Sequence, residues 1–142
     1  MERVLRLPAP CGALRDAMFS FAHAMLDRHG AFVPFGGYIA PPDQIVHVTF
    51  AHARAPPTSD DATVLAFEVA EVDPNAIAHA LAFDMHLHVP RDGMVDAVRL
   101  HLSHVDGQCA DLFVPYRARA GMPTLFGASF VLAGVPIGFP GR

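Results

Sequence analysis

Residues 76–116 read AIAHALAFDMHLHVPRDGMVDAVRLHLSHVDGQCADLFVPY, and this stretch decides the fold. It contains three runs in which apolar residues recur at every second position, which is the period of a β-strand. Turn residues at Pro90–Gly93 and Asp106–Gly107 separate the runs and favour hairpins. We therefore predict three consecutive antiparallel strands, at Ala76–Val89, Val95–His104 and Cys109–Tyr116.

The second of these hairpins has two candidate registers. Pairing Val105 with Gln108 would place Asp111 opposite Leu102, on the side of the sheet that the apolar residues assign to the core. Pairing Val105 with Cys109 avoids this conflict. We expect the second register or a bulge.

A helix and a further hairpin precede this stretch. Apolar residues at helical spacing predict a helix over Pro10–His29, and Gly30 suits the left-handed conformation that caps a helix. Alternating residues predict strands at Phe32–Ala40 and Gln44–His52, joined by a turn at Pro41–Asp43.

The segment Ser59–Val72 carries signals for both a helix and a strand. Ser59 is a suitable N-cap, and the two aspartates that follow it suit the first helical turn. Leu65, Phe67 and Val69 nevertheless alternate as they would in a strand. A helix is favoured, and a strand stays the alternative.

Together these elements predict an α+β protein with a mostly antiparallel sheet of five to six strands and two helices packed on one face. The order is α-β-β-α-β-β-β, with a further strand at Thr124–Leu132. The chain of 142 residues is expected to form a single domain, 1–142. Within it, residues 120–142 form an apolar strand and tail containing Gly and Pro, which we expect to cover a core or a partner subunit.

The composition favours an oligomer. Charged residues make up 17% of the chain and apolar residues 52%, against a usual charged fraction of about 25%. A surface poor in charge is typical of a homo-oligomer, and we expect a dimer. The net charge of -4 provides no basic surface for phosphates, which argues against nucleic acid as a partner.

Targeting and membrane signals also bear on the class of protein. Charged residues and Pro8 interrupt the apolar residues at the start of the chain, so no signal peptide is predicted. Residues 120–141 carry no charge, but their prolines and glycines would leave backbone groups unpaired in lipid. We expect a cytoplasmic protein with no membrane contact, in which Cys11 and Cys109 are reduced thiols.

A short aromatic phrase occurs twice, as FVPF at Phe32–Phe35 and as FVPY at Phe113–Tyr116. Proline lacks the N–H that a central strand needs, so each copy should lie at an edge, a strand end or a bulge. The large rings beside the two prolines are candidates for ligand or interface contacts: Phe32, Phe35, Phe113 and Tyr116.

His104 and Asp106 precede Gly107 and admit two interpretations. The carboxylate could orient the imidazole as a general base, which makes both residues site candidates. Asp-Gly is also a preferred centre of a tight turn, which explains the motif without chemistry. The structural interpretation is favoured, and no catalytic residue is assigned.

Three histidines form a candidate metal site. If Leu81 faces the core, His86 and His88 point to the opposite, outer face of the sheet. Assigning Leu100 to the core sends His101 to that outer face as well. Such a cluster could hold Zn²⁺ with one position open for water, although ordinary solvated histidines explain the pattern more simply.

Three short patterns, HGxFxPFG at 29–36, HxDG at 104–107 and VPY at 114–116, resemble a family of small uncharacterised bacterial proteins of similar length. The resemblance spans most of the chain, from the first helix to Tyr116. It supports the outlined fold and implies no reaction, because the family has none assigned. Its members tend to carry an acidic residue before the HxDG turn, where this chain has His101 and Ser103.

These features favour a non-enzymatic, homo-oligomeric module that binds a small ligand or a partner protein through its aromatic segments, with no cofactor. Nucleophilic catalysis has little support, because the serines lack a GxSxG setting and the cysteines lack the signature of an activated thiolate. The alternative function is a metal-binding protein or metal-assisted hydrolase that holds Zn²⁺ on His86, His88 and His101.

Overall fold

The computed structural model describes residues 8–50, 59–119 and 121–133, with side chains at all of these except 59–63, 67 and 133. Two α-helices and seven β-strands follow one another along these residues. They are α1 (Ala9–His29), β1 (Phe35–Ala40), β2 (Gln44–Thr49), α2 (Ser59–Val72), β3 (Ala78–Arg91), β4 (Met94–His104), β5 (Cys109–Arg119), β6 (Met122–Phe126) and β7 (Phe130–Ala133).

The strands form one antiparallel sheet in the order β2-β1-β3-β4-β5-β6, and β7 also pairs with β5. The predicted α+β class, the antiparallel sheet and the order of the first seven elements are confirmed. α2 is a helix, so the strand alternative for this segment is wrong. The expected strand at Thr124–Leu132 is instead two short strands, β6 and β7, which pair with different parts of the long β5.

α1 covers one face of the sheet, termed the α1 face. Its buried residues recur every three or four positions: Cys11, Leu14, Met18, Ala22 and Leu26. They share one core with small and branched residues of the sheet, including Ala78, Ala80, Ala82, Val98, Leu100 and Leu102. α1 ends at Gly30, whose φ of 76° and N–H bond to the Leu26 carbonyl form the predicted cap.

α2 covers the opposite face of the sheet, termed the α2 face. Its Leu65, Ala66 and Val69 form a second core with Leu81 and Phe83 of β3. These β3 residues alternate with the alanines that meet α1, so the two helices lie on opposite faces. The pattern predicts both helices on one face of the sheet, and this part of the prediction is wrong, because the sheet lies between the two helices in three layers.

The composition of β3 explains the difference. Its large residues occupy one face and alanines the other, and the sequence analysis took only the large side for core. Small side chains are what lets a helix approach a sheet closely. Gly37 in β1 shows how close α1 lies, because a Cβ atom there would be 2.7 Å from the Met18 Cε.

The hairpin between β4 and β5 differs from both registers considered above. Its three-residue loop, 105–107, is closed by a bond of 2.8 Å from the His104 N–H to the Gln108 carbonyl, and Gly107 has a φ of 98°. Leu102 lies opposite Ala110, two residues from the expected pairing. This register places Asp111 directly opposite His101, on the α2 face.

Of the two prolines of the repeated phrase, Pro34 lies at a strand end, as predicted, whereas Pro115 lies inside a strand that is paired on both sides, which was not predicted. Pro34 immediately precedes β1. Pro115 lies inside β5, between Phe113, which pairs with β7, and Tyr116, which pairs with β6. On the side of β5 that faces β6 and β7, the Pro115 carbonyl accepts a bond from the Gly127 N–H. The N–H that proline lacks would point to the same side, at the place where the partner strand changes from β7 to β6.

Two expectations concern the membrane and the C-terminal tail. Among the residues that the structure describes, no helix is long and apolar enough to cross a bilayer. Residues 134–142, which make up most of the predicted tail, lie outside the described residues.

Candidate functional site

An apolar pocket of about 410 Å³ lies where β1 begins and β2 ends. The C-terminal half of α1, the connection 31–34 and the end of β2 form its wall. The lining residues are mostly aromatic or aliphatic: Phe21, Met25, His29, Ala31, Phe32, Val33, Pro34, Phe35, Thr49 and Phe50. Small-molecule sites in proteins usually measure about 300–1,000 Å³, so the pocket has a suitable size.

The rings in the wall hold one another in place. The Phe35 ring meets Phe21 at a centroid distance of 4.8 Å and Phe32 at 5.6 Å, both in edge-to-face geometry. Such aromatic pairs each contribute about 0.5–1.5 kcal/mol beyond their buried area. Phe32 and Phe35 are buried, whereas Phe21 is 38% and Val33 51% exposed, so Phe21 and Val33 form the mouth of the pocket.

A half-buried carboxylate fixes the connection that carries Phe32. The Gly30 cap reverses the chain after α1, and the Phe32 N–H then donates to Asp84 Oδ2 at 3.2 Å. The Tyr116 hydroxyl donates to the other oxygen, Asp84 Oδ1, at 2.5 Å. Asp84 therefore joins the pocket wall to β3 and β5 and acts as a positioning residue behind the wall.

Burial raises the pKa of Asp84 above its ordinary value of 3.8, although the hydrogen bonds from Tyr116 and Phe32 act in the opposite direction. The same carboxylate, together with burial, raises the pKa of Tyr116, burial having the larger effect. The tyrosine hydroxyl therefore remains a hydrogen-bond donor at neutral pH.

The raised pKa of Asp84 gives a testable pH dependence. A carboxyl group whose pKa is raised by folding contributes stability below its unfolded pKa, and this contribution is lost as the pH rises through the folded pKa. We expect the free energy of unfolding of the wild type to fall relative to that of Asp84→Asn as the pH rises from below 3.8 to neutral. Urea unfolding of both proteins across this range measures the difference, and a constant difference would contradict the account.

The described part of the pocket wall is mainly apolar. Among the lining residues that the structure describes, His29 and Thr49 have the only polar side chains, and no carboxylate or thiol is present. General acid–base catalysis needs a titratable group within hydrogen-bonding reach of the reacting atoms, usually oriented by a partner. An apolar wall without such a titratable group and partner instead favours a ligand whose surface is neutral and apolar.

A buried polar network lies on the α2 face, away from this pocket. His101 Nδ1 lies 3.0 Å from Asp111 Oδ1, and His101 Nε2 lies 3.0 Å from the Ser103 hydroxyl. Arg99 Nε also donates to Asp111 Oδ1, at 3.1 Å. Burial opposes the ionisation of Asp111, but the bonds from His101 and Arg99 outweigh it and hold the pKa of Asp111 below its ordinary value.

Asp111, His101 and Ser103 follow the order of a Ser-His-Asp relay, but their surroundings do not suit acyl transfer. Such a relay needs an accessible nucleophile and nearby N–H donors for the oxyanion. Ser103 has no exposed surface, and it lies between His79 and Cys109 in the sheet ladder. The network therefore stabilises the centre of the sheet.

The candidate metal site is not assembled. In the observed register His101 pairs with Leu81, and both lie on the α2 face. His86 pairs with Asp96 across the two strands, and both lie on the α1 face. His86 Nδ1 instead pairs with Asp96 Oδ1 at 2.6 Å, and His88 is exposed. Within the described residues no group of three or more His, Cys, Asp or Glu side chains could hold a metal ion. The error has the same source as the helix placement, since only one face of β3 was assigned to the core.

The remaining candidates have separate locations. Phe32 and Phe35 line the pocket, and Tyr116 is buried behind it, so these three rings do not form an exposed interface. Phe113 lies on the α2 face, where it stacks on Phe130 at 5.0 Å. Arg99 lies over the Phe113 ring at 5.8 Å.

The His104 and Asp106 motif forms the β4–β5 turn. The Asp106 N–H donates to His104 Nδ1 at 3.1 Å. The Gln108 N–H donates to Asp106 Oδ1 at 2.9 Å. Both side chains bond to the backbone of their own loop, as the structural interpretation predicts, and His104 Nδ1 also lies 3.1 Å from Asp106 Oδ1.

Several residues of the site were not found from the sequence. Phe21 and Met25 lie within the predicted helix, and Thr49 and Phe50 within a predicted strand, and none of the four is a site candidate from the sequence. They meet Phe32 and Phe35 only after α1 and the first hairpin have packed together. The HGxFxPF phrase was the available signal, because it ends one element and begins the next with apolar rings on both sides.

Comparisons of the chain with protein-family models, with curated proteins and with solved structures found no match. The geometry therefore defines a class, an antiparallel α+β protein with an aromatic pocket. The resemblance to small uncharacterised bacterial proteins stays a prediction.

Proposed function

We propose that this protein is a non-enzymatic binding module whose pocket takes a small, neutral, mainly apolar ligand. One observation supports the proposal above all: four phenylalanines from separate segments, Phe21, Phe32, Phe35 and Phe50, surround a cavity of about 410 Å³. Rings that pack in this way would normally fill the space between them with further side chains.

The energetics of such a site favour apolar surface. Each Å² of apolar ligand surface removed from water contributes about 25 cal/mol. The wall is held by edge-to-face rings and by the Asp84 bond to Phe32, so little ordering is needed on binding. A charged ligand would lose its hydration without gaining an opposite charge from the wall.

The proposal also places the module in the cytoplasm. Cys11 and Cys109 are both described, and neither forms a disulfide. Thiols of this kind persist in a reducing compartment. Burial, and to a lesser degree the charge of Asp106, raises the pKa of Cys11 to about 11, so its thiol is protonated and unreactive at neutral pH.

A mouth residue offers a direct test. We expect the neutral probe N-phenyl-1-naphthylamine to gain fluorescence with the wild type as it enters the apolar pocket. Val33→Glu should weaken this binding at least about tenfold, or about 1.4 kcal/mol, because it sets a carboxylate in an apolar mouth. The measurement is a fluorescence titration of the protein into the probe.

Val95→Glu is the matched control. Val95 is 52% exposed, against 51% for Val33, but it lies on β4 and is not among the lining residues. The control should bind the probe as the wild type does. Equal binding by both variants, or no saturable binding by the wild type, would refute the proposed function.

A further inference from the structure

The two edges of the sheet differ in how they are protected against pairing with another strand. The edge after β5 is divided between two short strands, β6 contains Pro123, and the register shifts between Arg117 and Arg119. Proline, charge and irregular pairing are the features by which proteins block edges. The outer edge at β2 has none of them.

β2 is a regular, uncharged strand. It reads QIVHVT and pairs with β1 through six consecutive residues without a bulge, from Ala40–Gln44 to Phe35–Thr49. In the part of the chain that the structure describes, no strand pairs with its outer side. Within these described residues its outward N–H and C=O groups have no strand partner, and an added strand could pair with them.

We propose that β2 pairs with β2 of a second copy of this chain, antiparallel, so that one continuous sheet runs through a dimer. Identical strands meeting across a two-fold axis bring like side chains together, and like charges there would repel. β2 carries no Asp, Glu, Lys or Arg, so self-pairing meets no such penalty. The low charged fraction of the chain, 17%, agrees with an additional buried surface.

The symmetry restricts the register of this pairing. A two-fold axis that continues an antiparallel sheet stands perpendicular to it, so each face of one copy continues into the same face of the other. Residues that pair across the axis must then lie on the same face, so odd-numbered residues pair with odd-numbered ones and even with even. With the largest overlap of the two strands, the axis passes between the two copies of Val46 or between the two copies of His47. In either case the two His47 side chains share the α1 face and lie directly opposite or two residues apart.

The dimer does not require the proposed ligand, although Thr49 belongs to both β2 and the pocket wall. The pocket lies at the Thr49 end of β2. Antiparallel pairing of the two β2 strands therefore places the two pockets at opposite ends of the interface. Loss of one property therefore leaves the other measurable.

Substitutions of opposite charge at His47 test the pairing of the two β2 strands. His47 is exposed and is not a lining residue, although its ring lies 5.7 Å from the ring of Phe21 at the pocket mouth. We expect the wild type to sediment as a dimer, and His47→Glu and His47→Lys each to shift to monomers through repulsion. An equimolar mixture of the two variants should restore the dimer through opposite charges. Val131→Glu, on the exposed side of β7, is the control and should remain a dimer.

Each other outcome overturns the proposal. A monomeric wild type at every accessible concentration would leave the β2 edge to a strand of another protein. A dimer that persists in both charge variants would locate the interface elsewhere. Circular dichroism of each variant shows whether it is folded, and variants that are folded and monomeric but do not combine on mixing would also contradict the pairing.

Discussion

Replacing Asp111 with alanine is expected to lower the free energy of unfolding by about 3 kcal/mol, the usual scale for removing one partner of a buried ion pair. The Asp111 carboxylate accepts bonds from both His101 and Arg99. The His101 side chain is only 5% exposed, so water cannot replace the lost partner, whereas Arg99 at 34% is partly solvated. Chemical denaturation at neutral pH measures the loss.

Asp111→Asn separates charge from hydrogen bonding at this position. The amide keeps one acceptor oxygen, so we expect a smaller loss, about 1–2 kcal/mol at neutral pH. The pKa of Asp111 is lowered by folding, so its contribution is present above the ordinary value of 3.8 and is lost as the pH falls through the folded pKa. The gap between wild type and Asp111→Asn should therefore close in acid. An unchanged gap would show that folding does not lower the pKa of Asp111 and would contradict the account.

Gly37→Ala is expected to cost about 2–3 kcal/mol, because the added methyl group overfills a tight contact between α1 and the sheet. Its Cβ would lie 2.7 Å from the Met18 Cε and 2.9 Å from the Val46 carbonyl oxygen. The methionine side chain can move, but the backbone oxygen belongs to the neighbouring strand. Thermal or urea unfolding measures the loss.

Gly12→Ala is the matched control, placed in α1, the helix that packs against Gly37. Gly12 lies within α1, and the nearest atom to an added Cβ is Arg15 Nη2 at 3.8 Å. Alanine is the better helix former, so this substitution should stabilise the protein by about 0.5–1 kcal/mol. If Gly37→Ala were neutral or stabilising, α1 would not lie as close to β1 as the structure has it.

Much of the fold could be predicted because local signals agreed with the final packing. The Gly30 cap, the hairpin turns and the two-residue periodicity of β3 to β5 all act over a few residues. The faces of β3 could not be assigned in this way. Alternating Ala and Leu or Phe is compatible with a strand buried on one side, and only the presence of a helix on each side shows that both are core.

The site was less predictable for a related reason. The His101 and Asp111 pair depends on a loop at 105–107, one residue earlier than the loop at 106–108 that the expected Val105–Cys109 pairing gives, and such a shift changes every cross-strand neighbour. The pocket depends on contacts between α1 and the end of β2, which are far apart in the chain. Its aromatic phrase was visible in the sequence, but the cavity between the rings was not.

The most direct test of the ligand-binding claim uses the methionine methyl groups as reporters in a protein labelled with ¹³C at those positions. Met25 lines the pocket, Met18 lies in the core beneath α1, and Met122 is 53% exposed on β6. On titration with toluene, we predict a saturable shift of the Met25 methyl resonance while the Met122 resonance stays constant. A Met25 resonance that does not move, or moves no more than Met122, would contradict the assignment of this pocket as the binding site.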